Sequence, residues 1–286
     1  MTRRAATHTH GGSMAQASGP GPSISVSLVE FATDAAVLSR TLRSLAAAVS
    51  TAGLDARIRL VDNARRHRLR RLAVSAGIPD SRLSVIEGQG NVGYGRGHNL
   101  ALAGCESRYH LILNPDVEMA EDSLAQAVVF MEAHPECGLL VPSALDGQGE
   151  QQFLCKRYPT VFDLFLRGFA PRGLQMRFRT RLCRYEMREM FDGRNTLWAP
   201  PLTSGCFMFF RTSVLNQLGG FDLRYFLYLE DFDLSLRAGR ITKVACQPSV
   251  RIVHHGGNAA RKGWRHVWLF SRSTLLFFRT HGWRWW

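Results

Sequence analysis

Apolar residues recur along the chain with two periods. Residues 23–31 form a β-rich run, and over 34–50 Val37, Leu38, Leu42, Leu45 and Val49 fall on one helical face. A short strand over 57–61 ends in Asp62-Asn63. Helical spacing then covers 65–76 through Leu69, Leu72 and Ala73, until Gly77 and Pro79 stop it. Residues 83–86 and 109–113 read as strands. Residues 121–134 read as a helix with Leu124, Val128 and Met131 on one side, and 139–141 as a further strand. Such alternation predicts an α/β fold, with a doubly wound, mostly parallel sheet.

Residues 150–198 break this rhythm. After them come a strand-like run at 200–211, a short helix at 212–218, a helix at 230–238 closed by Gly239, and a last strand at 251–253. From Gly263 the spacing is helical again. Trp264, Trp268, Leu275 and Phe278 fall near one face, and Arg265, Arg272 and Arg279 recur every seven residues along another. Three parts are expected. Residues 1–22, rich in Gly, Ser, Ala, Thr and Pro, form a disordered leader. Residues 23–257 form an α/β catalytic domain carrying the 150–198 insert, and 258–286 form a basic, Trp-rich amphipathic segment.

Charge changes the picture more than composition does. Lys and Arg number 36 against 23 Asp and Glu, giving +13, and 33 of the 36 are arginine. Polyanionic partners follow: nucleic acid, anionic lipid or a phosphorylated ligand. Placement narrows these, because eight arginines face three acids between Arg167 and Arg194, and six basic residues but no acid follow Gly257. Interleaved Trp and Arg suit an anionic membrane surface, and the insert either shares that surface or grips a diphosphate. No stretch approaches the roughly 18 apolar residues of a spanning helix. Arg3 and Arg4 are not followed by the apolar core of a secretory signal. The six cysteines form no CxxC pair and are read as reduced thiols. The expected location is the cytoplasm, peripheral to the inner face of the plasma membrane.

In an open α/β sheet, ligands sit at the carboxyl ends of strands. The polar residues there are Asp62-Asn63, Asn114-Pro115-Asp116 and the loop Asn91–Asn99. Gly88, Gly90 and Gly93 spell GxGxxG, which on paper supports an NAD(P)-dependent oxidoreductase. The third glycine of that motif should lie inside a helix, whereas Tyr94-Gly95-Arg96-Gly97 reads as more loop. Glu230, Asp231 and Asp233 occupy the opening turn of a helix, whose N-terminus favours their ionised forms. A general base must be ionised and close to its proton, and Asp231 is the candidate. In Val253-His-His-Gly-Gly257 an imidazole, with an oxygen of Asp116, suits Mn²⁺ or Mg²⁺ held partly by a diphosphate.

Together these motifs resemble the inverting GT-A glycosyltransferases of family 2, within it the bacterial rhamnosyltransferase-like enzymes. The resemblance spans about residues 24–282. It rests on Val61-Asp62-Asn63, Asn91–Asn99, Leu113-Asn-Pro-Asp-Val117, Ser204-Gly205-Cys206, Gly219-Gly-Phe-Asp222, Leu229-Glu-Asp-Phe-Asp233 and His254-His-Gly-Gly257. It implies a nucleotide-sugar pocket formed by Asp62, Asn63, Asn91, Gly93, Asn99, Asn114, Asp116, Gly205 and Glu230, with Asp62 accepting from a pyrimidine ring. Asp116 corresponds to the last acid of the metal-binding DxD motif, and Asn114 stands in place of its first. His254 completes the metal or diphosphate site, His255 being a substitute. Where related first strands end in Thr-Tyr-Asn, this chain has Val29-Glu-Phe-Ala-Thr-Asp34.

The implied reaction moves a sugar, dTDP-rhamnose being the suggested donor, to a saccharide or lipid-linked acceptor of the cell envelope. Asp231 removes the acceptor proton, the anomeric carbon inverts, and a divalent ion steadies the leaving diphosphate. The oxidoreductase reading leaves the later acidic and histidine motifs without a role. A nucleic-acid-binding reading finds no recognised module, and acids stand at the strand ends where a stacking surface is needed. Nucleic acid is therefore not an expected partner.

Overall fold

The computed structural model describes residues 23–256 and 263–286; the expected leader, with Gly257, Arg261 and Lys262, lies outside the described residues. The first half is built as β1 (Ile24–Glu30), α1 (Ala35–Thr51), β2 (Ala56–Asp62), α2 (Leu69–Ser75), β3 (Leu83–Ile86), α3 (Tyr94–Leu102) and β4 (Tyr109–Leu113). Then come β5 (Val117–Met119), α4 (Ser123–Ala133), β6 (Cys137–Leu145), β7 (Gln151–Gln152) and β8 (Cys155–Lys156). The insert folds as α5 (Val161–Gly168), α6 (Arg172–Arg177) and α7 (Arg179–Tyr185). After it run β9 (Leu197–Trp198), β10 (Leu202–Thr203), β11 (Phe207–Arg211), α8 (Thr212–Gln217), α9 (Glu230–Ala238), β12 (Lys243–His254) and α10 (Trp264–His281).

The sheet order is β3–β2–β1–β4–β11–β6–β12–β5, with β7 on β6 and β9 on β12. β3, β2, β1 and β4 are all parallel. β11 runs antiparallel to both β4 and β6, and β12 is parallel to β6. This is the expected α/β architecture, a mixed, largely parallel sheet with helices against it. The order reverses between β1 and β4, so their carboxyl ends open a crevice for a ligand. Phe207, Phe209 and Phe210 of β11 are fully buried at the centre of the sheet. The apolar face read for α1 is the one that packs, through Leu38, Leu42, Leu45 and Val49, and Asp34 Oδ1 caps the helix by accepting from Ala36 and Val37 N–H.

Several elements depart from the sequence reading, each for a local reason. The helix expected from 65 begins at Leu69, because Asp62 captures the N–H groups of Ala64, Arg66 and His67 and bends the chain into a turn. Residues 94–97 are helix, not loop. Gly95 and Gly97 are there for close approach, since a Cβ would lie 2.8 Å from Phe221 Cβ at one and 2.8 Å from Val29 Cγ2 at the other. The run 200–211 splits into two strands around the turn Ser204–Cys206. The last strand reaches from Lys243 to His254, with a register shift between Gln247 and Arg251.

The C-terminal segment is joined to the rest of the fold. Phe277 and Phe278 of α10 are buried with Leu164, Leu202, Tyr225, Leu229 and Phe232. His281 Nε2 lies 2.8 Å from Asp233 Oδ1, and Ser273 Oγ donates to the Leu227 carbonyl at 2.8 Å. Trp264, Trp268 and Leu275, expected to share a face with Phe278, instead point to solvent. Polar Ser273 and His281 belong to the buried side because each has a bonding partner there. Apolar spacing alone therefore misplaces the docking face.

Candidate active site

At the end of β2, Asp62 is buried and both its carboxylate oxygens are engaged, Oδ1 by Ala64 N–H and Oδ2 by Arg66 and His67 N–H, each at 2.9 Å. Its ligand-type atoms also come within 4.8 Å of those of His67 and Glu87. Asn63 donates to the Gly93 carbonyl at 3.0 Å and accepts from Gln89 Nε2. Asn91 Oδ1 accepts from Gly93 N–H. Gly93 has φ +89°, and a Cβ there would lie 2.3 Å from the Phe226 carbonyl oxygen. Both ends of the Asn99 amide are taken by the Phe221 backbone, at 2.8 and 2.9 Å. These residues thus share one network of turns that braces the start of α3.

A second group gathers around a cleft of about 700 Å³. Its wall includes Lys156, Arg188, Glu230, Asp231 and His254. Antiparallel pairing of β12 with β5 sets His254 opposite Val117, so His254 Nε2 comes to 3.6 Å from Asp116 Oδ1. Gln152 Oε1 lies 2.9 Å from His254 Nδ1 and orients the ring. Burial lowers the His254 pKa, against the opposing pull of Asp116, which favours the neutral imidazole. Asp116 Oδ1 and Asn114 Oδ1 are buried with no hydrogen-bond partner among the described residues. A Cβ at Gly256 would lie 2.2 Å from Asp116 Oδ2 and 2.9 Å from His254 Nε2, so glycine keeps that corner open.

The turn between β10 and β11 brings Gly205 against the start of α9. Gly205 N–H donates to Asp231 Oδ2 at 2.8 Å, and Phe232 N–H donates to Oδ1 at 2.9 Å. Tyr94 of α3 donates to the Gly205 carbonyl at 2.7 Å, which ties the two groups together. Just before α9, Tyr228 and Leu229 have φ of +72° and +63°. Two successive left-handed non-glycine residues are costly, and such strain collects where side chains must be aimed. α10 braces this turn: Tyr228 Oη lies 2.7 Å from His266 Nδ1, and Ser273 holds Leu227.

Electrostatics here oppose the helix-terminus effect that the sequence suggests for Glu230 and Asp231. Burial, followed by the neighbouring Asp231 charge, instead raises the Glu230 pKa, and Glu230 Oε2 has no partner. Burial likewise raises Asp231, although the N–H groups of Gly205 and Phe232 and the charge of Lys156 oppose it. Desolvation outweighs the dipole because a helix terminus contributes only about 0.3–1 kcal/mol at an exposed site. The raised Asp231 is a stronger base than a surface aspartate.

Arg167 and Arg188 belong to the basic insert that the sequence offers for a diphosphate, and with Lys156 and Glu186, which sequence reasoning missed, they line the same cleft. Lys156 was legible only as a lone lysine after Phe153-Leu-Cys155.

Residues 30–219 match the family described as Glycosyl transferase family 2. An N-acetylglucosaminyl-diphospho-decaprenol L-rhamnosyltransferase of Mycobacterium tuberculosis is 29% identical over 182 residues, covering 62% of this chain and 56% of that protein. The rhamnosyltransferase WbbL of Escherichia coli K12 is 27% identical over 185 residues, covering 60% of this chain and 65% of that protein. The chain thus spans somewhat more than half the length of these relatives. Among solved structures, GalNAc-T7 with UDP, GalNAc and Mn²⁺ has a TM-score of 0.61 at 14% identity, over 90% of this chain and 48% of that one. The mannosyltransferase PcManGT of Pyrobaculum calidifontis with GDP-Man and Mn²⁺ has a TM-score of 0.55 at 16% identity, over 92% of this chain and 76% of that one. Both likenesses place the fold as GT-A.

Proposed function

The chain belongs to glycosyl transferase family 2, and from that premise we propose that it transfers a sugar, with inversion, from a nucleotide-diphosphate donor to a lipid-linked saccharide acceptor. dTDP-rhamnose is the proposed donor, following the two rhamnosyltransferase relatives. One observation carries the reading. A carboxylate anchored by two backbone N–H groups shares a cleft with a histidine whose Nε2 lies 3.6 Å from a partly buried acid, Asp116. A dinucleotide-dependent oxidoreductase has no use for that arrangement, and the Gly88–Gly93 motif ends at the cap of α3.

Asp231 is the proposed general base. Gly205 and Phe232 N–H fix its carboxylate, and one of its oxygens removes the proton of an acceptor hydroxyl as that oxygen attacks the anomeric carbon. The donor diphosphate leaves from the opposite side, so the configuration inverts. Asp116 and His254 are the proposed holders of Mn²⁺ or Mg²⁺. The fit rests on the unpartnered oxygens of Asp116 and Asn114, a neutral imidazole and the glycine-lined corner. A divalent ion there supplies charge stabilisation for the leaving diphosphate. Asp62, Asn63, Asn91 and Gly93 shape the proposed nucleotide side, Asp62 being the ring acceptor, and Glu230 and Gly205 flank the sugar. Asn99 supports that pocket through Phe221.

Among the described residues, no helix is long and apolar enough to cross a membrane. The proposed place of work is an anionic, cytoplasmic membrane surface. On the outward side of α10, Trp264 and Trp268 are 81% and 52% exposed, and Arg265, Arg272 and Arg279 stand beside them. Arg272 lies over the Trp268 ring at 5.6 Å. Exposed Trp interleaved with Arg fits the boundary between headgroups and acyl chains.

Thermal denaturation of the purified chain with dTDP, UDP, GDP or NAD, each with and without Mn²⁺, tests the reading. A nucleoside diphosphate should raise the midpoint, and Mn²⁺ should enlarge that rise. Stabilisation by NAD alone overturns it.

A further inference from the structure

One wall of the cleft gathers a lysine and two arginines around a single carboxylate. Lys156 is 4% exposed, and its ammonium donates to the Phe153 carbonyl at 2.6 Å. No ion pair to it is found among the described residues. Nearby, Glu186 is buried with both oxygens occupied: Arg167 donates to Oε1, and Arg188 donates to Oε2 through Nε and Nη2 at 2.8 and 2.6 Å. Three cations thus attend one interior carboxylate, and all four side chains line the cleft that holds Asp231.

A buried ammonium with one carbonyl partner out of three possible is poorly compensated. Burial, then the Arg167 charge, lowers the Lys156 pKa to about 7. Glu186 and Asp231 pull the other way, but one interior carboxylate shared by three cations leaves the group net positive, and an entering anion would secure the ammonium form. The composition of the group selects the anion. Two guanidiniums and an ammonium match an oxyanion with several acceptor oxygens and more than one negative charge. The side chains of Arg167 and Arg188 are 47% and 45% exposed, so both remain open to a ligand.

We infer that Lys156, Arg167 and Arg188 form the subsite for a diphosphate ester of the acceptor, seating it so that a hydroxyl of the attached sugar reaches Asp231. The inference deepens the glycosyltransferase reading and rests on it. It also separates two phosphate-binding places in one cleft, the donor's at Asp116 and His254 and the acceptor's at Lys156.

Titration calorimetry on the full chain in EDTA, with farnesyl diphosphate, farnesol and inorganic pyrophosphate, tests this. Farnesyl diphosphate should bind at least about tenfold more tightly than farnesol, and Lys156→Met should lose about tenfold, the equivalent of one charge-assisted hydrogen bond. Arg188→Gln, at a more exposed site, should lose severalfold and serves if the first variant does not fold. In a separate titration dTDP with Mn²⁺ should bind all three proteins alike. The subsite is overturned if farnesyl diphosphate binds no better than farnesol, or equally to wild type and variants. It is also overturned if pyrophosphate matches the ester or if Lys156→Met abolishes dTDP binding. Failure of wild type to bind dTDP, UDP or GDP with Mn²⁺ instead counts against the proposed donor site and leaves the Lys156 comparison intact.

Discussion

Asp62 and Asp231 are both carboxylates at the edge of the sheet, yet their surroundings differ in kind. Asp62 is enclosed by a turn that it closes itself, with three backbone N–H groups on its two oxygens. Its neighbours Asn63, Asn91 and Asn99 are likewise bonded to backbone or to one another. Around Asp231 the polar atoms are left waiting. Among the described residues Asn114 Oδ1, Asp116 Oδ1 and Glu230 Oε2 are buried without partners, the backbone before α9 is strained, and Lys156 shares the Glu186 carboxylate with two arginines. Buried unpaired polar groups cost stability and persist where a ligand completes them. The first region, where Gln89 Oε1 and Glu30 Oε2 also lack a partner among the described residues, is the proposed scaffold for the nucleotide edge. The second is the proposed reacting region, completed by what binds to it.

The largest test of that contrast is Asp231→Asn. Transfer should fall by about 10³-fold, within the usual contribution of a general base, while donor binding and fold persist. In the wild type kcat/KM should rise with pH until the raised Asp231 carboxyl has ionised. The stability sign is opposite. Glu230 and Asp231 titrate higher in the folded chain than in the unfolded one, so the native state binds more protons in that window. Native stability therefore falls as pH rises through it, and Asp231→Asn should flatten that fall. A variant with near-normal transfer ends the base assignment.

The outer face of α10 gives the next effect. A charge close to an anionic surface contributes about 1 kcal/mol. Changing Arg265, Arg272 and Arg279 together to Gln should then weaken sedimentation with phosphatidylglycerol vesicles roughly a hundredfold. Neutral vesicles should show little change, and helix content should hold because the docking face is untouched. Equal binding by wild type and variant would remove the membrane role and leave α10 as a brace for the turn before Asp231.

The strand–helix rhythm of the first half was legible because each element there packs on its sequence neighbours. So were the residues that meet in the reacting region: Asp116, Gly205, Asp231 and His254 were all singled out by motif. What local pattern could not carry was their distance in sequence. Asp116 meets His254 only through the register of β5 against β12, and Gly205 meets Asp231 only because a turn divides 200–211. The upward shift of Asp231 was not legible because burial is a property of the whole cleft. Lys156 was not legible because nothing in Phe153-Leu-Cys-Lys-Arg157 sets it apart, and its meaning comes from Glu186 and two arginines elsewhere in the chain. The buried side of α10 was misplaced because Ser273 and His281 bury through partners that periodicity does not register.

Asp62→Ala probes the scaffold side and should be the smallest of these effects. It releases three N–H groups in a partly buried turn, where Arg65 and His67 hold φ of +56° and +48°. Water reaches the released groups in part, so the cost should be about 2 kcal/mol, below the sum for three fully buried donors. Urea denaturation should show it as a lower midpoint with an unchanged slope. Affinity for dTDP should fall too, since the turn that positions the nucleotide edge loosens with its anchor. The comparison with Asp231 then becomes quantitative. One carboxylate, when removed, weakens the fold; the other, when neutralised, leaves it as firm or firmer and stops the reaction. If Asp62→Ala leaves the urea midpoint unchanged, the three N–H bonds are incidental. The case for treating that region as scaffold would then fail, and Asp62 would stand as a ligand contact alone.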